Sequence, residues 1–318
     1  MRKEKKGFKK KKKEFRYWIG WIIYNIFEWI MTRLPLKHIY FFSEKLGIIA
    51  YYLSPGYRRK ILNNINFALG NEKSKEEIKR ISKDVGRGLF KLFFEMQHII
   101  ALPAEKIKDI ISLEGKENLD TALAKGKGVI AVSAHLGNFT ILGPKLAAEG
   151  YSFNIITKDL VDPRIVKRLN EYANTLHMKI IPYKPQDKCI KIILKSLRNN
   201  EIVCFIADES YPSGGVFVNF FGHPAPTATG PAVFSLRTGA EIVPMFLIRH
   251  EANKNKLIID PAIDIELSGD KKKDTVSITE RFTNIIEDYI RLYPSQWPWI
   301  NKRWRLKHAG RKRRKKRR

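Results

Sequence analysis

VIAVSAHLGNFT, residues 129–140, opens on an apolar, β-branched run and ends in a turn. The run Val129–Ser133 reads as a buried strand, Leu136-Gly137-Asn138 as a sharp turn, and the stretch from Phe139 to about Glu149 as a helix. His135 therefore stands at the mouth of a strand, just before a helix N-terminus. An imidazole there can titrate near neutral pH, and the unpaired N–H groups of the helix start can meet a developing negative charge.

Outward from this unit the chain alternates strands and helices from Gly115 onward. Candidate strands are Val129–Ser133, Phe153–Thr157, Lys179–Pro182, Ile202–Ala207, Ile242–Ile248 and Leu257–Pro261. Helical stretches fall at Asn118–Lys125, Phe139–Glu149, Pro163–Leu176, Asp187–Arg198 and Pro231–Thr238, with a long final helix over Thr275–Leu292. The alternation predicts an α/β fold with a mostly parallel central sheet flanked by helices. Ligands of such sheets gather at the carboxyl ends of strands. His135 follows one such end, and Asp208 and Glu209 follow another. Residues 15–112 read as a largely helical front section, with helices over Leu36–Leu53 and over Lys75–Ile100, the latter opened by Ser74.

The formal charge of +28 is unevenly spread. Residues 1–16 carry a net +8 and Arg311–Arg318 another +8. Such tails repel themselves, so segments 1–16 and 306–318 are expected to be disordered. Their charge suits an anionic membrane surface, nucleic acid or an acidic protein. The neighbouring segment Tyr17–Met31, YWIGWIIYNIFEWIM, favours the membrane. Its 15 residues are fewer than the ~20 that span a bilayer core. Asn25, Glu28 and Thr32 give it one polar helical face. Trp18, Trp21, Trp29, Tyr17 and Tyr24 are side chains that settle at headgroup depth. A basic run followed by such a helix predicts an interfacial or membrane-anchor helix over 17–34, its basic end in the cytoplasm. The main domain is then 35–305. Cys189 and Cys204 sit in apolar surroundings without ligand spacing, as small buried residues of a reducing compartment do. The seven histidines show no metal-ligand spacing, and no metal or cofactor is expected.

Three further segments belong beside His135: ADES at 207–210, GGVFVNFFGHPAPTATGP at 214–231 and LRTGAEIVP at 236–244. Thr227, Thr229 and Gly230 precede an apolar helix, a pattern that serves capping or the holding of an anionic or carbonyl oxygen. Together with RRKILNNI at 58–65 and PSQWPWINKRW at 294–304, these segments resemble the bacterial lipid A biosynthesis acyltransferase family, part of the lysophospholipid acyltransferase superfamily. The resemblance runs from the N-terminal helix to near Arg305 and rests on five pieces in the right order.

The resemblance implies an O-acyltransferase at the cytoplasmic face of an inner membrane. It would move a fatty acyl chain from acyl carrier protein or acyl-CoA to a hydroxyl of a lipid acceptor such as a lipid A precursor, with His135 as general base. The family's His-x4-Asp/Glu motif places its histidine at His135 and its acid at Thr140, where this chain departs from the pattern. A carboxylate fixes the imidazole tautomer and stabilises the cation that forms. Threonine can only hydrogen-bond, so Asp208 or Glu209 is expected to take over, Asp208 also matching an acidic position of the family. Gly137 and Asn138 are expected to contact substrate, and backbone N–H groups at the start of the 138–149 helix to meet the oxyanion. Lys167 and Arg168 stand near the place of a family arginine without aligning to it. Two other readings are a non-catalytic lipid-binding member of the same fold, favoured by Thr140, and a basic nucleic-acid-binding protein. The second leaves the aromatic helix and the ordered α/β motifs without a purpose, and no specific nucleic-acid partner is expected.

Overall fold

Runs of buried β-branched residues give this chain its central layer, and amphipathic helices cover both faces of it. The computed structural model describes residues 2–157, 163–250 and 254–304, with the backbone only for residues 2–16, 163 and 165. In chain order the front section comprises α1 (Arg2–Met31), α2 (Leu36–Leu53), α3 (Pro55–Leu69), α4 (Lys75–Gly88), α5 (Lys91–Ile99) and α6 (Ala104–Ile110). There follow β1 (Ile111–Glu114), α7 (Lys116–Ala124), β2 (Val129–Ser133), α8 (Leu142–Ala148), β3 (Phe153–Thr157), α9 (Pro163–Thr175), β4 (Lys179–Pro182), α10 (Gln186–Arg198) and β5 (Ile202–Ile206). The chain continues with β6 (Val216–Phe220), β7 (His223–Thr227), α11 (Gly230–Thr238), β8 (Glu241–Arg249), β9 (Asn255–Ile259) and α12 (Lys271–Leu292).

Seven strands form one sheet in the order β1-β9-β8-β2-β5-β3-β4. β8, β2, β5, β3 and β4 run parallel; β9 turns back antiparallel on β8, and β1 pairs parallel to β9. The fold is thus α/β with a mostly parallel sheet flanked by helices. Side-chain alternation splits the core into two layers. Ile130 and Val132 of β2 join one cluster with Ile286 of α12 and Ile193 of α10, whereas Val129 and Ala131 join the other with Leu119 of α7 and Leu146 of α8.

All six expected strands are present. β1 and the β6–β7 hairpin were not expected, since Pro224 and Pro226 argue against an interior strand and are tolerated only because this pair stands as a separate two-stranded sheet. The helix expected over Lys75–Ile100 is two helices. Gly86 and Gly88, poor helix formers, end α4 after a capping box in which Ser74 and Glu77 bond each other's backbone N–H groups. The helix expected from Phe139 begins instead as a 3-10 turn, Phe139–Ile141, and becomes regular only at Leu142.

Residues 2–16 correct the expectation of a disordered tail over 1–16: their backbone continues α1. Lysine and arginine are good helix formers, and the apolar turns of 17–31 supply the nucleus from which the helix propagates. The expected tail 306–318 lies outside the described residues. The polar stripe of α1 faces the protein: Tyr24 Oη donates to Gln97 Oε1 at 3.2 Å, and Glu28 pairs with Arg168 of α9 at 2.7 Å. Its apolar side chains Trp18, Ile23, Ile26 and Trp29 are exposed, as are Phe41, Phe42, Ile49 and Leu53 of α2. No helix of the described residues is long and apolar enough to cross a membrane.

Candidate active site

Register decides the site. β2 pairs with β5 so that Val129 lies opposite Ile202 and Ser133 opposite Ile206. Two residues beyond the last pair on each strand, the same offset brings His135 beside Asp208. Because paired residues of parallel neighbours point to the same face, the extended register sets Asp208 beside the imidazole. The His135 Nδ1 lies 2.8 Å from Asp208 Oδ1, and the His135 backbone N–H donates to the same oxygen at 3.1 Å. The Trp297 indole N–H donates to Asp208 Oδ2 at 2.7 Å.

Asp208 is fully buried, while the imidazole of His135 keeps 28% of its side-chain surface open. Burial by itself would raise the carboxyl's pKa. The His135 charge and the donors from His135 and Trp297 outweigh it and hold Asp208 below the usual carboxylate range. An ionised Asp208 can only accept, so it fixes the hydrogen of the imidazole on Nδ1 and makes Nε2 the basic nitrogen of the ring. The ring of Phe139 meets the imidazole edge-on, 4.7 Å between centroids.

The closing segment 294–304 locks this arrangement. Besides the Trp297 bond, the Gln296 carbonyl accepts from the Gly137 N–H at 3.1 Å. Arg303 is completely buried and donates to Pro226 O at 2.8 Å and Thr227 Oγ1 at 2.7 Å. Its burial pulls the guanidinium pKa down to about 10, and Asp208 acts against that shift. Asn64 of α3 donates its amide to Trp299 O at 2.7 Å and Asn301 O at 3.2 Å. The two outlying motifs at 58–65 and 294–304 thus meet each other.

The turn after His135 corrects part of the sequence reading. Gly137 has φ +56°, and a Cβ there would stand 2.1 Å from Leu247 O, so glycine is demanded by both conformation and space. Its N–H is engaged by Gln296 and is not an oxyanion donor. The side chain of Asn138 is also engaged: its buried amide donates to Glu95 Oε2 at 2.8 Å and accepts from the Thr140 hydroxyl at 2.5 Å. Thr140, in the place of the family's acid, is therefore committed to Asn138.

Thr227 accepts from Arg303 and donates to Ala225 O at 3.1 Å, which makes it a strut rather than a substrate contact. Thr229 occupies the N-cap position of α11 without a side-chain cap bond, so the capping expected there is absent; Gly230 packs toward the Phe205 ring. Lys167 is exposed and faces Glu171 at 3.8 Å on its own helix. Arg168 ties α9 to Glu28 of α1. Neither of these contacts involves His135 or Asp208.

Sequence reasoning missed Glu95, Arg249, Asn255, Trp297 and Arg303. Glu95 is fully buried in α5 and accepts from Asn138, from Arg249 Nη2 at 2.9 Å, and from Tyr40 and Asn255. Its signal was a lone acid in the apolar run LFKLFFEMQHII, 89–100. Trp297 and Arg303 stood inside a quoted motif, but no spacing assigned them partners. Tyr40 and Asn255 also line a cleft of about 740 Å³ between α2 and the starts of β1 and β9.

The profile of the bacterial lipid A biosynthesis acyltransferases matches residues 5–306. The phosphatidylinositol mannoside acyltransferase of Mycobacterium tuberculosis (strain CDC 1551 / Oshkosh) is 28% identical over 60% of this chain, which spans 58% of that relative's length. The lipid A biosynthesis lauroyltransferase of Escherichia coli (strain K12) is 22% identical over 93% of this chain and 94% of its own. The crystal structure of the 1-acyl-sn-glycerophosphate acyltransferase of Thermotoga maritima covers 78% of this chain and 98% of that one, at 14% identity and a TM-score of 0.35.

Proposed function

The chain belongs to the bacterial lipid A biosynthesis acyltransferase family, and we propose that it transfers a fatty acyl chain from a thioester of acyl carrier protein or coenzyme A to a hydroxyl of a glycolipid. The observation that carries this reading is the His135–Asp208 pair: a half-open imidazole whose Nδ1 lies 2.8 Å from a buried carboxylate at the carboxyl end of the sheet.

The steps balance around one proton. His135 Nε2 takes the proton of the acceptor hydroxyl as its oxygen attacks the thioester carbonyl. Asp208, kept ionised, stabilises the imidazolium that forms. The oxyanion of the tetrahedral intermediate meets main-chain N–H groups of the 138–140 turn, whose first donors have no helical acceptor. Collapse breaks the carbon–sulfur bond, and the imidazolium returns its proton to the departing thiolate. Asp208 supplies the negative charge that Thr140 lacks, which favours catalysis over a non-catalytic lipid-binding role.

The place of action is a membrane surface. A soluble helix buries its apolar stripe, whereas α1 turns its polar stripe to the protein and leaves Trp18, Ile23, Ile26 and Trp29 outward, with Phe41, Phe42 and Ile49 of α2 equally uncovered. Exposed apolar surface of this extent marks an interaction site. Tryptophans among it and the basic stretch 2–16 suit the headgroup region of an anionic bilayer, here the cytoplasmic face of the inner membrane.

The acceptor that the lauroyltransferase similarity favours is a lipid A precursor, since that relative is matched over nearly its full length. A mannosylated phosphatidylinositol is the second reading, favoured by the higher identity of the mycobacterial relative. His135→Ala should abolish transfer in a purified assay while the thermal transition remains cooperative. Turnover retained in H135A would remove the proposal. Lipid mass spectrometry of cells with and without the protein would identify the acceptor by a missing acyl chain on one lipid class.

A further inference from the structure

We infer that Glu95 is a positioning residue for acyl transfer, a buried carboxylate that fixes the turn carrying His135 by holding Asn138 from behind. The inference rests on the acyl-transfer reading and extends it to a residue outside the histidine–aspartate pair.

Every group around Glu95 is a donor. The Tyr40 hydroxyl reaches it from α2, the Asn138 amide from the turn, Arg249 from the end of β8 through Nε at 3.3 Å and Nη2 at 2.9 Å, and the Asn255 amide from the start of β9. Only an ionised, acceptor-only carboxylate satisfies such a ring. Burial opposes the charge, but Arg249 and the hydrogen bonds prevail and keep the Glu95 carboxyl below its ordinary pKa. Stability alone does not account for this choice, because well-packed apolar residues serve buried positions as well or better than ion pairs. What the carboxylate does uniquely is join two helices, α2 and α5, and two strands, β8 and β9, to one irregular segment, the turn at Asn138. That turn lies three residues past His135 and is gripped on its other side by the Gly137 N–H to Gln296 O bond of 3.1 Å. Asn138 hands the constraint on through its Oδ1 to Thr140. With both grips in place, the imidazole and the turn's N–H groups keep a fixed spacing, which a reacting carbonyl requires.

The test uses the full chain in detergent micelles, with lauroyl-coenzyme A or lauroyl-acyl carrier protein as donor and a tetra-acylated lipid A precursor or a phosphatidylinositol mannoside as acceptor. Wild type and H135A come first: transfer by the former and none by the latter establishes the reaction, and equal behaviour of the two removes both that reading and this inference. Given the reaction, Glu95→Gln places two N–H donors in a ring of donors, and Asn138→Ala cuts the link while leaving Glu95 its other partners. Each should lower kcat about 10- to 100-fold with KM for the thioester within about twofold, the signature of lost positioning. Glu95→Asp should restore part of the rate, and amide exchange across 135–141 should quicken roughly tenfold in N138A while β5 stays protected. If E95Q folds poorly, N138A decides. Wild-type kcat in N138A, or exchange over 135–141 unchanged from wild type, overturns the inference while leaving His135 and Asp208 their roles.

Discussion

Asp208→Asn tests the core of the site, because the structure dictates which way the new amide must fail. The wild-type carboxylate accepts from His135 Nδ1 at 2.8 Å, from the His135 backbone N–H at 3.1 Å and from the Trp297 indole at 2.7 Å. Asparagine offers one acceptor oxygen and one donor group. With its oxygen toward Trp297, the NH2 faces His135, forces the hydrogen of the ring onto Nε2 and blocks that atom as a base. With its oxygen toward His135, the NH2 confronts the indole N–H and leaves an imidazolium without its counter-charge. Either arrangement also leaves a buried donor unpaired, at about 1–3 kcal/mol, though a neutral side chain no longer pays the burial of a charge. The fold should therefore survive. In the serine-hydrolase triad the same exchange costs about 10⁴ in kcat. A loss of about 10³ to 10⁴ is expected here, or roughly 4–5.5 kcal/mol in the barrier at 1.36 kcal/mol per decade. The assay is thiol release from lauroyl thioester that depends on a lipid acceptor, beside circular dichroism melting of the same preparation. A folded D208N within tenfold of wild type would show that the imidazole needs no charged partner, and the reasoning would fail.

Other perturbations separate the remaining roles. Glu209→Gln and Thr140→Ala should each change kcat by far less than D208N, and equal effects from all three would mean that the histidine works unaided. Gly137→Ala should destabilise by roughly 2 kcal/mol or more, from the left-handed backbone and the overlap with Leu247 O, seen as a lower denaturation midpoint. Because the folded pKa of Asp208 lies below its unfolded value of about 3.9, its contribution to stability is present above that pH and is lost as pH falls through the folded value. Urea midpoints of wild type and D208N should therefore converge below about pH 4. Cys204, whose thiol burial pushes up to about 12, and buried Cys189 should resist iodoacetamide at pH 8 until the protein is unfolded.

Much of the site was legible because its parts are local. The strand–turn unit 129–140 announces itself by β-branched residues followed by Gly137, and the position of His135 at a strand end follows at once. The acid was narrower than a guess but wider than an answer: Asp208 and Glu209 both follow a strand end, and only the β2–β5 register, which no local pattern encodes, turns one of them to His135. The Gly137 N–H and the Asn138 side chain, expected to contact substrate, are engaged elsewhere for the same kind of reason. Their N–H and amide groups are claimed by Gln296 and Glu95, more than 40 residues away in either direction.

Amino-acid order alone fixed the α/β alternation, the amphipathic character of 17–31 and the histidine at the strand mouth, since periodicity and turn chemistry act over a few residues. Tertiary structure decided which carboxylate faces the imidazole, which side of α1 meets the protein, and how Trp297, Arg303 and Glu95 brace the turn. Those choices depend on strand register and on the matching of buried donors with acceptors. Both are properties of segments that become neighbours only when the chain has folded.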